Sequence, residues 1–432
     1  MTTDQNYQQI YRVGGMLDAG FVGQITYTIS LDQVYDELDI HFSFDKRLYS
    51  ESDVTPELID RLQTLCTAKY NAPTYPAEEF RQTILHEMKT EIHTMAELND
   101  NFIGCIHRQL TDRHMLYTKE FTSDGCLAQD TFSGVLKVTV LVFNVLLDNT
   151  QYTLTVSGHP VGQGVIAPNF NLMDTVKTAA GNAGASNAAG SADNSCEAES
   201  APASAVATAG SSGVSGAGSA ATAGDSSTTG SSSAGNTVTA STRFKRLELH
   251  NHTVESDGSL TCQELTEYLA ADHVDAFAIT DHNTTSGQKK IEQLLEEKHY
   301  PISLIRGMEY TTYFGHILCL NLAKYVPWNS IDQHRPELLF EAAREKGALV
   351  GIAHPFSYGD PFARGCRFEM TVSDYSKVDF IEIFNNPEPL HEVNERGTNL
   401  WMSLIFSGYQ ITATSGMDLH NRAKLAGCYA TY

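Results

Sequence analysis

The chain has 432 residues, and its 29 Lys+Arg against 52 Asp+Glu leave a net charge of -23. That length allows roughly two to four domains, while the acidic balance excludes a duplex-binding basic surface, because phosphate contacts need clustered Lys and Arg. No apolar run of about 18 residues is present to span a membrane, the N-terminal MTTDQNYQQIYRVGG has no secretory pattern, and the 8 Cys form no CxxC pair, which reads as reduced thiols in a cytoplasmic protein.

Early in the chain Phe21 to Ile29 (FVGQITYTI) and Leu38 to Phe44 (LDIHFSF) are predicted strands, as are Leu136 to Leu147 and Tyr152 to Val156. Alternation and β-branched content carry that reading. Between them Thr55-Pro56-Glu57 opens a predicted helix with Pro at its first position. Pro76-Ala77-Glu78-Glu79 opens a longer one, running toward Leu98. Residues 1–173 are therefore expected to form a small β-sandwich-like domain with a helical insertion. His86-Glu87 begins like a zinc-protease motif, but Thr90 stands where the second His is needed and the next His is His93. A solvated helix face accounts for it better.

Residues 174–241 are almost all Ala, Gly, Ser, Thr and Asn, with no aromatic residue from Thr175 to Ala240. Such a stretch buries too little apolar area to offset its ordering entropy, so a disordered linker is expected.

From residue 242 the rhythm changes. Predicted strands at Phe244 to Leu249, Ala276 to Thr280, Ile302 to Met308, His316 to Leu322, Ala348 to Ala353, Phe380 to Phe384 and Gln410 to Thr414 alternate with helices. The helices are one opened by the capping box Thr261-Cys262-Gln263-Glu264, then Gly287 to Glu297, Pro336 to Lys346 and Glu392 to Ser407. Alternation of this kind implies a parallel sheet, and so many repeats favour a closed α/β barrel over an open sheet.

The chemistry sits where those strands end. Leu249 leads into His250-Asn251-His252, Thr280 into Asp281-His282, Ile305 through Gly307 to Glu309, Ala353 into His354, and Thr414 to Asp418-Leu419-His420. Reactive sites of such folds lie at the carboxyl ends of the strands, so these residues should converge. Alternate residues on an extended chain share a side, which lets His250 and His252 approach one metal, and Asp418 and His420 repeat the spacing. Asp257 lies on the loop after the first pair, and His316 can point back into the same mouth. Imidazole and carboxylate without thiolate suit Mn, Fe or catalytic Zn rather than a structural zinc. Any one His or Asp is usually a surface or turn residue, but coincidence at so many strand ends is improbable. His273, His299, His334 and His391 sit on predicted helices or loops and are read as ordinary.

The segments LELHNHTVESDG, AITDHNTTSG, RGMEYTT, GHILCL, IAHP and SGMDLH, in that order, resemble the PHP (polymerase and histidinol phosphatase) superfamily of metal-dependent phosphoesterases. The resemblance runs from about Arg243 to the end of the chain and is nearest to the small-nucleotide phosphatases and carbamate-cleaving metallohydrolases. It implies a distorted (βα)7-type barrel holding two or three divalent ions (Mn, Zn or Fe). Carried over by motif, His250, His252, Glu309 and Asp418 would hold one ion. Glu309 would bridge to a second with His316 and His354, and Asp257, His282 and His420 would hold a third. Members usually continue beyond the point where this chain stops, Tyr432, so the closing helix of the barrel is expected to be missing or supplied otherwise.

The function this implies is cleavage of phosphate esters by a hydroxide that the metals activate. The expected substrate is a nucleotide or a short single-stranded oligonucleotide end, cut in the 5′-to-3′ direction. Arg364, Arg367 and Arg422 are candidate phosphate clamps, and Asp281 and Glu382 are candidates to accept the second N–H of a ligating His. Two rival readings stay open at this point: a carbamate or ester hydrolase on the same metals, and a binding or scaffold protein whose N-terminal domain carries the main role.

Overall fold

The computed structural model describes residues 7–70, 72–161, 244–385, 391–422 and 431. The expected linker at 174–241 lies outside the described residues.

The N-terminal half runs β1 (Gln8–Leu17), β2 (Gly23–Phe44), α1 (Pro56–Tyr70), α2 (Ala77–Glu87), β3 (Glu91–Leu98), β4 (Asn101–Ile106), β5 (Asp112–Tyr117), β6 (Phe132–Asn144) and β7 (Thr150–Pro160). Its strands form one antiparallel sheet ordered β1-β7-β2-β6-β3-β4, with β5 also on β2. The two early strands read from the sequence are a single strand of 22 residues. Gly23 to Leu31 pairs with β6, and Tyr35 to Phe44 pairs with β7. A register break between Leu31 and Tyr35 lets one strand serve both parts, so the sheet bends at β2 instead of dividing into two.

The second helix stops well short of Leu98. Met88 already has extended geometry, and Glu91–Leu98 is a strand held between β6 and β4. All of β3 except Glu97 is buried, so it has no alternation for a sequence reading to detect. His86 and Glu87 end α2 on its exposed side.

The C-terminal half runs β8 (Leu247–Glu248), α3 (Cys262–Ala271), β9 (Ala276–Ile279), α4 (Ser286–Lys298), β10 (Ser303–Thr312), β11 (Gly315–Leu320), α5 (Glu337–Glu345), β12 (Leu349–Ile352), β13 (Phe380–Asn385), α6 (Glu392–Phe406) and β14 (Thr412–Gly416). The capping box at Thr261 and Glu264 opens α3, satisfying two backbone N–H groups reciprocally. Strands β8 to β14 stand side by side in chain order. The fold is thus mixed α/β, but the sheet is not wholly parallel. Only Tyr313 and Phe314 separate β10 from β11, too short a link for a crossover, so β11 runs antiparallel to both neighbours. Beyond the strands, Asn251 and Leu419 form a parallel bridge and His252 N–H donates to Leu419 O at 2.9 Å. The two ends of the row therefore meet at the carboxyl side. No described helix is long and apolar enough to cross a membrane.

The two halves share a core. Met95, Cys105, Leu141 and Phe143 of the first belong to one apolar cluster with Met308, Tyr310, Ile317 and Trp328 of the second. Phe102 stacks on Tyr325 with ring centroids 3.9 Å apart, and Tyr313 Oη donates to Gly23 O at 2.8 Å. A polar latch completes the contact. Gly125 N–H donates to Glu255 Oε2 at 3.1 Å, and Thr284 Oγ1 donates to Gly125 O at 2.9 Å. Gly125 has φ +81, and a Cβ there would meet Cys105 O at 2.3 Å. Gly125→Ala should therefore lower stability by about 1–3 kcal/mol through strain and overpacking. Gly408→Ala is the control, since Gly408 also has positive φ but nothing lies within 4 Å of its added Cβ. Thermal unfolding of the pair should show the larger loss at Gly125; equal losses would mean the latch tolerates the methyl.

Candidate metal centre

The motif residues converge on one buried carboxylate. Glu309 leaves β10 with no exposure to solvent, and its two oxygens face different imidazoles. Oε1 lies 2.8 Å from His316 Nδ1 and 3.0 Å from His354 Nε2. Oε2 lies 3.1 Å from His250 Nε2, 3.3 Å from His252 Nε2 and 3.0 Å from His282 Nδ1. Asp418 Oδ1 adds contacts of 2.9 Å to His252 Nε2 and 3.3 Å to His250 Nε2. On the far side of His282, Asp257 Oδ1 lies 3.6 Å from His282 Nε2 and 3.3 Å from His420 Nε2. Three overlapping groups could each hold a cation: His250, His252, Glu309 and Asp418; His282, Glu309 and His316; and His252, Asp257, His282 and His420. His354 joins through Glu309, as its distances show.

The donor set fits divalent metal. His250 Nε2 and Glu309 Oε2 are buried and close, yet neither has a hydrogen-bond partner, and the same holds for His316 Nε2 and Asp257 Oδ1. Buried polar atoms left without a partner are the kind of donor that a cation would satisfy. Other ring nitrogens are committed elsewhere. His250 Nδ1 lies 3.0 Å from Glu382 Oε1, His354 Nδ1 is 3.1 Å from Cys366 O, and His420 Nδ1 is 2.9 Å from Asp418 O. With the proton on Nδ1, each Nε2 is left as a lone pair aimed inward. Glu382 also accepts from the His354 backbone N–H and from Asn385, both at 3.0 Å, so it steadies two of the converging segments at once. Two of the converging residues sit in left-handed backbone geometry, His354 at φ 25 and Asp418 at φ 50. Such strain persists only where the surroundings hold it.

The electrostatics agree. Burial alone would raise Glu309, but His250, His316 and His282 hold its carboxyl well below the ordinary value. Asp418 and Asp257 are likewise driven down against burial, the first chiefly by His250, the second by His282 and His107. Burial opposes charging of His250, yet Asp418, Glu382 and Glu309 raise it well above normal. For His420 the same contest, with Asp257 and Asp418 as the partners, ends at about 10. The pocket favours positive charge, and protons and divalent ions compete for the same nitrogens.

The other sequence candidates are placed differently. Among the described contacts Asp281 reaches no imidazole. Its oxygens accept from Thr253 N, Thr253 Oγ1 and Ser256 Oγ at 2.7, 2.8 and 2.7 Å, so it clamps the loop that leads to Asp257. Arg364 is paired with Asp360 at 2.7 Å. Arg367 lies over the Tyr70 and Phe356 rings, 5.3 and 5.4 Å from their centroids. Arg422 is exposed and 4.0 Å from Glu264. Among the described contacts none of these guanidinium groups touches the cluster.

The sequence reading missed the N-terminal contribution. His107, on the loop after β4, stacks on His282 at 4.1 Å between centroids and places Nε2 3.4 Å from Asp257 Oδ2. His93 packs behind it, tilted by 50°, with centroids 4.0 Å apart. The only signal for them is residue type, because they fall outside every motif.

Comparison with known proteins gives partial matches. The model of DUF6669, a family of unknown function, matches residues 7–160. An uncharacterised protein of Methanocaldococcus jannaschii is 30% identical over 112 residues, 26% of this chain and 58% of that one. A 5′-3′ exoribonuclease of Haemophilus influenzae is 36% identical over 141 residues, 31% of this chain and 50% of that one. The chain thus spans about half the length of these curated relatives. Among solved structures, a two-domain protein of Bacteroides vulgatus containing a predicted PHP-like metal-dependent phosphoesterase aligns at 19% identity and TM-score 0.31, over 41% of this chain and 52% of that one.

Because raised histidines must lose protons to ligate, metal binding should release protons and tighten as pH rises from about 6 to 8. Calorimetric titration with Mn or Zn in two buffers of different ionisation enthalpy measures this. Equal heats in both buffers would contradict the protonation reading.

Proposed function

We propose that the protein is a metal-dependent phosphoesterase acting on the 5′ ends of nucleotides or short single-stranded oligonucleotides. The observation that carries the reading is Glu309, whose two oxygens each face their own set of imidazoles, the arrangement that lets one carboxylate bridge two cations. The partial identity to a 5′-3′ exoribonuclease supports the substrate class. The meeting of the first and last strands beyond β8 and β14 supports a (βα)7-type barrel as the frame.

His250, His252, Glu309 and Asp418 would hold one ion, Glu309, His316 and His354 a second, and Asp257, His282 and His420 a third. Bound divalent ions supply Lewis acidity, lowering the pKa of water and neutralising the charge that builds on a phosphoryl group. The chain's own residues do the rest. Glu382 and Cys366 O fix the His250 and His354 rings so that Nε2 faces inward. Asp281 and the Gly258 turn hold the loop bearing Asp257, where a Cβ on Gly258 would come 2.5 Å from His252 O. Phosphate charge is met by the cluster itself, which explains how a chain of net charge -23 could take an anionic substrate.

The test is a substrate panel (nucleoside bisphosphate, 5′-phosphorylated RNA, an aryl carbamate and an ester) assayed with Mn, Zn and Fe after metal removal. Release of phosphate or 5′ nucleotide is expected; hydrolysis of the carbamate or ester alone would sink the phosphoesterase reading. Glu309→Gln should lose at least one ion and lower kcat by about a hundredfold or more. A neutral amide cannot offset the repulsion of two cations, which for unit charges about 4 Å apart at an effective dielectric of about 20 is already roughly 4 kcal/mol. The exposed His334→Ala should leave both properties unchanged. Glu382→Gln, which keeps shape but weakens the hold on His250, should weaken metal binding by about tenfold in equilibrium dialysis.

A further inference from the structure

We propose that the N-terminal domain is a working part of the metal centre: His107 and Arg108 position Asp257, and through it the ion that Asp257 shares with His282 and His420. The inference rests on the reading of the cluster as a metal centre, and not on which substrate it cleaves.

Three contacts converge on the turn that carries Asp257. His107 Nε2 faces Asp257 Oδ2 at 3.4 Å, leaving Oδ1 toward His282 and His420. The next residue, Arg108, donates from Nη2 to Gly258 O at 2.8 Å. A short distance away Gly125 N–H holds Glu255, which also accepts from Ser286 Oγ at 2.7 Å and pairs with Lys290 at 2.5 Å. Side chain and backbone of the Asp257-Gly258 turn are thus both gripped from the other half of the molecule. The C-terminal half has its own clamp in Asp281, but that clamp reaches only Thr253 and Ser256.

His107 is placed for this duty. It is buried between two other rings, His93 at 4.0 Å and His282 at 4.1 Å. A carboxylate accepts and cannot donate, so the proton of His107 belongs on Nε2. That agrees with Nδ1 having no partner. Behind it His93 Nε2 lies 2.8 Å from Gln109 Nε2 and 3.2 Å from Glu91 Oε1, contacts that fix the next ring in turn. An N–H donor on the second oxygen of a ligating carboxylate sets which oxygen meets the metal and how the carboxyl plane is turned.

Glu91, His93 and His107 also lie close enough together to hold a cation of their own. The neighbouring Arg113 argues against it. Its guanidinium is buried, with Nε and Nη2 unpartnered, and it already disfavours positive charge at His93. A divalent ion there would face that charge at short range.

The test uses the full chain with His107→Phe, His107→Gln, His93→Phe and His86→Ala, the last an exposed His in the same domain. Phe keeps the ring stack and removes the N–H; Gln keeps an N–H donor at nearly the same reach. Folding is checked by circular dichroism. Ions per chain are measured after dialysis against fixed free Mn or Zn, and cobalt-substituted protein gives an absorption spectrum of the ligand field. The expected result is that His107→Phe loses one ion, or binds it at least tenfold more weakly, with an altered cobalt spectrum. His107→Gln should stay within about threefold of wild type and His86→Ala should match it. If His107→Phe binds the full complement with the wild-type spectrum, the inference is overturned. If His93→Phe and His107→Phe each abolish the same ion while the Asp257 variant Asp257→Asn retains it, the Glu91-His93-His107 group is a separate site and the inference is again overturned. A wild type that binds its ions but hydrolyses no phosphate ester would refute the proposed substrate class and leave this inference standing on the metal data.

Discussion

A carboxylate with no exposure to water is costly unless opposite charge or hydrogen bonds compensate it. Glu309 is in that position, and the C-terminal half is arranged around its needs. His250 comes from beyond β8, His282 from beyond β9, His316 from β11 and His354 from beyond β12, all reaching its two oxygens. No single strand could supply that set. The row of strands is therefore the condition for burying Glu309, and burying Glu309 is the condition for gathering five imidazoles, His252 among them, from distant parts of the sequence.

The N-terminal sheet completes this arrangement instead of standing apart from it. Its strands β3 and β4 press Met95 and Cys105 into the apolar cluster that also backs Met308 and Tyr310, on either side of Glu309 in β10. Just past β4 the chain passes the cluster around Glu309, where His107 continues a row of imidazoles. His93, His107, His282, His252 and His420 follow one another with centroids 4.0 to 4.2 Å apart. Such stacking holds only while the rings are not all protonated, because like charges at that spacing repel.

Much of the C-terminal half was legible in the sequence, because its chemistry is tied to short, regular elements. A strand such as Ala276–Ile279 is a brief apolar run, and the polar residues that follow it announce where it ends. The antiparallel β11 was less legible, since direction is set by the two-residue turn at Tyr313-Phe314 and not by the strand's composition. In the N-terminal half, β2 read as two strands because its alternation breaks between Leu31 and Tyr35. The costliest misreading was the extension of α2 toward Leu98. It placed His93 on a helix, when β3 in fact buries His93 and leads directly to β4 and His107. Local pattern cannot reveal a strand buried on both faces, and it cannot show which distant loop will lie against Asp257.

The shared core has a consequence for how such a chain can be inherited or recombined. Met308, Tyr310, Ile317 and Trp328 are buried in a cluster to which Met95, Leu141 and Phe143 contribute. A gene encoding only the C-terminal half would turn that apolar patch toward water and invite aggregation. It would also leave Gly258 O without Arg108 and Asp257 without His107. Grafting a foreign N-terminal domain would have to reproduce both the greasy seam and the two polar grips. The halves are therefore exchangeable only as a matched pair, and a substitution at the seam in one should be tolerated only alongside a compensating change in the other.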